Sequence, residues 1–128
     1  MLRPMKMVAL DTEDLLVLST VLEGALFTMP DMTYQAREQR FVAVMKRPDD
    51  ESRQPAIEAG IHFARVTKVQ SLNMPDRSSS TPLKLIGLMF SPTLDPSGEI
   101  ILAFEDERAL RLSVECLEVA LSDLSAKK

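Results

Sequence analysis

Period-two alternation of apolar and polar residues dominates most of the chain. From Gly98 to Leu124, two apolar alternating runs flank the acidic turn Glu105-Asp106-Glu107-Arg108, which predicts a β-hairpin. Leu83 to Phe90 reads as a further strand with apolar residues on both faces. Ile61 to Leu72 alternates but changes phase near Ala64-Arg65, the mark of a bulge or bend. Met32 to Ala36 and Arg40 to Lys46 flank the polar turn Arg37-Glu38-Gln39 and predict a second hairpin. Within it Phe41-Val42-Ala43-Val44-Met45 is apolar on both faces, so cover is expected on both sides. Lys6 to Leu10 is short and apolar, a first strand. Three segments read as loops: Pro48 to Pro55, Asn73 to Pro82 and Pro92 to Gly98.

One segment follows the helical period instead. Leu15, Leu18, Leu22 and Ala25 or Leu26 recur at helical spacing, with Val17 and Val21 widening the stripe. Asp11 and Thr12 offer N-cap oxygens, and Glu13 and Asp14 place negative charge where the helix dipole favours it. Gly24 weakens the end of this helix and Met29-Pro30-Asp31 terminates it. The C-terminal run reads two ways. Leu110, Leu112, Val114 and then Leu117, Val119, Leu121 alternate with a one-residue shift, as in a strand bulged at Glu115-Cys116, whereas Leu117, Ala120, Leu121 and Leu124 also form a helical stripe. The bulged strand is the preferred reading. The expected fold is α+β, one domain over residues 1–128. It has a curved antiparallel sheet of about six to seven strands packed on the N-terminal helix, and partial closure into a barrel is compatible with it.

Composition adds little to this and removes several function classes. An apolar share of 45% and a charged share of 27% are those of an ordinary globular chain. A net charge of -4 gives no broad attraction to phosphate backbones or anionic membranes. The single cysteine, Cys116, excludes an internal disulfide and suits a reducing compartment. Leu15 to Phe27 falls short of the ~20 residues of a membrane span and contains Glu23. Acidic rather than basic residues precede it, unlike a signal peptide. The expectation is a cytoplasmic protein without a membrane segment. The four glycines are ungrouped, so no phosphate-cradling loop exists, and no G-x-S-x-G elbow is present.

The candidate chemistry is thin. His62, the one histidine, lies between Ile61 and Phe63, so alternation turns it away from their face. It has no second histidine or cysteine cluster for a metal and no signalled nucleophile beside it. Cys116 is flanked by Glu115 and Glu118, which disfavour a thiolate. Asp49-Asp50-Glu51 lacks the spacing and glycine of a calcium loop. No catalytic, cofactor or metal residues are assigned.

Residues 37–68 carry seven basic side chains against five acidic ones, inside an acidic chain. Arg40, Arg47, His62 and Arg65 are therefore the candidate interaction patch, since arginine forks suit carboxylate or phosphate groups on a partner. The competing reading pairs these arginines with Glu38, Asp49, Asp50 and Glu58 inside the fold.

Val8-Ala9-Leu10-Asp11-Thr12-Glu13-Asp14-Leu15, Ile61-His62-Phe63-Ala64-Arg65-Val66 and above all Leu110-Arg111-Leu112-Ser113-Val114-Glu115-Cys116-Leu117-Glu118, closed by Asp123-Leu124, resemble the bacterial domain-of-unknown-function family numbered 2948. The chain departs from that pattern after Arg47, where it reads Pro48-Asp49-Asp50-Glu51 in place of an aromatic-containing segment. The resemblance implies a small bacterial cytoplasmic protein and brings no activity or cofactor with it. The leading functional expectation is a non-enzymatic protein-interaction module, binding another protein or its own copy. The alternatives are a small-molecule binder or enzyme using a cavity in the curved sheet, anchored by His62 and Arg65, and, more weakly, a nucleic-acid binder through residues 37–68.

Overall fold

A computed structural model describes residues 5–124. After strand β1 (Lys6–Ala9), Asp11 caps helix α1 (Thr12–Leu22), its carboxylate accepting from the Asp14 N–H at 2.8 Å. Gly24, at φ +90°, turns the chain where a side chain would be strained. The Gly24 N–H donates to Leu85 O and Leu85 N–H to Ala25 O, which opens the two-residue strand β2 (Leu26–Phe27). A 3-10 turn at Met29–Asp31 leads into the hairpin of β3 (Met32–Gln35) and β4 (Arg40–Pro48). There follow β5 (Pro55–Phe63), β6 (Val66–Leu72), β7 (Leu83–Pro92), β8 (Gly98–Phe104), β9 (Arg108–Val114) and β10 (Val119–Asp123).

The ten strands form one antiparallel sheet in the order β1-β10-β5-β4-β2-β7-β8-β9-β6, with β3 also on β4. The fold is α+β as the sequence predicts, with more strands than expected and with a sheet that does not close. Two bends raise the count. Arg65, at φ +59°, separates β5 from β6 where the alternation slips, and residues 115–118 separate β9 from β10. The two bends lie side by side: Ala64 N–H donates to Glu118 O and Glu115 N–H to Arg65 O. A continuous two-stranded ribbon, β5–β6 against β10–β9, thus turns a corner and gives the sheet its curvature. The C-terminal run is strand, with Leu117 in the corner, and both apolar sets face inward as the bulged reading requires.

One apolar cluster fills the concave side. Phe27 packs edge-on to Phe104 at 5.4 Å between centroids, and Phe41 lies 6.1 Å from Phe63. Helix α1 sends Leu15, Leu18 and Leu22 into this core. It lies against β7, where Ser19 Oγ accepts from the Leu88 N–H at 2.9 Å. Among the described residues no second layer covers the convex side. The expected double cover of Phe41–Met45 is therefore overturned, with Val44 38% exposed, and on β7 the outward Ile86 and Met89 are more than half exposed. The reason is topological, because the one helix is spent on the concave core.

Candidate functional site

The convex face of β3, β4, β5, β10 and β1 can be read from the register. Thr33 lies opposite Val42, Val42 opposite His62, His62 opposite Ala120 and Ala120 opposite Val8. The next row runs Val44, Gly60, Ser122, Lys6. The centre of this face is a groove of about 580 Å³ with Val42, Val44, Gly60, Ala120 and Leu124 on its floor and walls. Pro30, Asp31 and Thr33 line it as well. Gly60 keeps the floor low, since an added Cβ would reach Leu124 at 3.8 Å. Val8 and Leu124, 60% and 55% exposed, extend the apolar area towards the sheet edge. The groove is apolar at the centre with polar groups around it, the usual arrangement of a recognition surface.

The four residues of the predicted patch separate in space. His62 turns outward, as its alternation requires, and lines the groove. Its Nε2 is shielded from solvent and has no hydrogen-bond partner among the described residues. Arg40 is exposed on the same face of β4 as Val42 and Val44. Arg65 sits at the sheet corner, 59% exposed, with its Nε 3.9 Å from the Glu118 carboxylate. Arg47 points the opposite way and is 3% exposed.

Arg47 and Asp123 form a fork under the sheet. Nε donates to Oδ1 at 2.8 Å and Nη2 to Oδ2 at 2.9 Å, while Nη1 donates to Pro48 O. The pair spans β5 from β4 to β10 across the small Ala59, which lies opposite Asp123. The Met5 N–H adds a third bond to the carboxylate, so β1 is held to the same clasp. The hydrogen bond to Asp123 raises the Arg47 pKa above its ordinary value. Burial pushes the Asp123 carboxyl up, but the Arg47 fork, the Met5 N–H and the guanidinium charge outweigh it and hold Asp123 below its ordinary value. Such a pair is a structural clasp rather than an acid–base couple, because both groups stay charged through the neutral range.

Sequence reading placed Arg47 in a surface patch and did not single out Asp123. The signal was present: Arg47 continues the inward phase of Phe41, Ala43 and Met45, and Asp123 that of Val119 and Leu121. Two opposite charges, each on an inward phase, predict a buried pair. Cys116 is a free, half-buried thiol in the corner between β9 and β10. Among the described residues no group of three or more His, Cys, Asp or Glu side chains is placed to hold a metal ion, and no helix is long and apolar enough to cross a membrane.

No curated protein and no solved structure matches the chain. The model of a family described as protein of unknown function, DUF2948, matches residues 5–128, and the chain belongs to that family.

Proposed function

We propose that this is a small, single-domain bacterial protein of the cytoplasm that works as a non-enzymatic interaction module. Its convex groove holds an apolar segment of another protein, flanked by acidic side chains. The observation that carries this reading is the groove itself: the same strands are sealed by the core on one side and present an uncovered apolar floor on the other. Contiguous exposed apolar surface of this kind marks interaction sites in monomeric proteins. Arg40 and, at the corner, Arg65 supply the cations that would meet acidic flanks, and His62 lies between them and the floor. Arg47 serves the face indirectly, by fixing β4 to β10 from beneath.

Affinity capture from cells with wild-type chain, Val44→Asp and the Arg40→Glu/Arg65→Glu pair tests this. Both variants alter only exposed or half-exposed positions and should keep the native circular dichroism and melting temperature. A protein captured by the wild type and lost with both variants supports the assignment. Capture that survives Val44→Asp overturns it. A concentration-dependent rise in solution mass that Val44→Asp abolishes would replace the foreign partner with a second copy of the chain.

A further inference from the structure

A second concavity lies on the opposite side of the sheet, at a seam where two free strand edges come together. Strand β3 pairs only with β4, and β6 pairs only with β9, so each presents an unpaired edge. At one end the edges are stitched together: Val66 N–H donates to Gln39 O at 2.8 Å and the Tyr34 hydroxyl to Val66 O at 2.9 Å. Beyond that stitch they part and leave a pocket of about 340 Å³. Its walls are Met29, Met32, Phe41, Val69, Met74 and Leu110, residues that belong to or pack on the apolar core. The loop after β6 borders the mouth with Asp76 and Arg77.

We propose that this seam pocket binds a medium-chain aliphatic carboxylate, tail inward and carboxylate on Arg77. The volume is near the lower end of the ~300–1,000 Å³ found for small-ligand sites. Three methionines in the wall favour a flexible aliphatic tail, because unbranched thioether side chains shift to follow an irregular chain. The charge at the mouth selects the head group. Asp76 already accepts a hydrogen bond from the Ser78 hydroxyl at 2.9 Å, whereas Arg77 is exposed and makes no ion pair among the described residues. A planar guanidinium beside an apolar opening is matched by a carboxylate on an apolar stem. This site is independent of the convex groove and of the protein-binding reading.

The test is titration of the full chain, methyl-labelled at methionine, with octanoate, decanoate and 1-decanol. Saturable shifts of the Met29, Met32 and Met74 methyls are expected, with decanoate binding on the order of ten-fold tighter than octanoate for its two extra methylenes. Arg77→Gln, an exposed substitution, should weaken decanoate roughly five-fold and leave 1-decanol unchanged. Three results would overturn the proposal: no saturable shift of those methyls, saturable shifts confined to methionines outside the pocket such as Met7, Met45 and Met89, or equal decanoate affinity in Arg77→Gln.

Discussion

Removing the Asp123 carboxylate should be among the costliest single changes in the protein. Asp123→Ala leaves the Arg47 guanidinium inside the fold, with the Pro48 carbonyl, the more distant Asp50 and the charge of the buried Asp49 as what remains to it. Asp50 is 74% exposed and 3.7 Å away, so water screens it and it offsets little. A buried ion stripped of its partner costs about 3–5 kcal/mol. Unfolding entropy of roughly 2.1 cal/mol/K per residue turns that into a fall in melting temperature of roughly 11–19 °C for a chain of 128 residues. The Met5 N–H loses its acceptor too, so amide exchange in β1 should rise before global unfolding.

Scanning calorimetry at pH 7 reads the first effect and native-state hydrogen exchange the second. Replacing both partners, Arg47→Met with Asp123→Leu, should recover part of the loss, because neither member of the fork is then left buried without the other, while the buried Asp49 still loses the Arg47 charge. A single-variant cost under ~1 kcal/mol, or a double variant as unstable as the single, would refute the picture of a dry clasp in which each ion depends on the other.

The same clasp sets a pH dependence. Asp123 has a lowered pKa in the folded state, so its contribution is fully present above the unfolded value of ~3.9 and is lost as pH falls through the folded one. The deficit of Asp123→Asn relative to wild type, followed by urea unfolding, should therefore shrink as pH drops below ~4, and a deficit constant down to pH 2 would contradict it. Gly98→Ala should cost about 1–3 kcal/mol in the same assay, since an added Cβ would lie 2.7 Å from the Ser91 carbonyl and clash with the Phe90 ring. Asp11→Ala removes the cap on α1 and should cost about 1 kcal/mol, with thermal melts as the readout.

Sequence pattern carried most of the fold because most of its elements have a strong local signal. The Asp11 cap, the Leu15–Leu18–Leu22 stripe and the slip at Ala64-Arg65 all mark features of the structure, and the family resemblance agrees with the matched family model. The two-residue β2 left no signal, since two residues have no periodicity and its pairing depends on Lys46, Leu83 and Lys84, far along the chain. The extra strands come from bends, which alternation registers as phase slips without telling a bulge from a corner.

The site was less legible. His62 could be turned outward from its neighbours alone, but whether anything lies on top of it depends on where the single helix packs. Arg40 and Arg47, both in β4, have opposite fates because an odd spacing separates them. The seam pocket could not be foreseen at all: it needs β3 and β6 as neighbours, and only the corner in the β5–β6 ribbon brings them together.

The most direct test of the binding face is site-specific photo-crosslinking in cells, with a benzophenone side chain at Val44 on the convex groove and, separately, at Ile86 on the outer side of β7. Both positions are open to solvent, so exposure alone does not separate them. The account predicts a discrete protein adduct from position 44, suppressed by Arg40→Glu/Arg65→Glu, and none from position 86. No adduct at 44, or the same adducts at both positions, would contradict it.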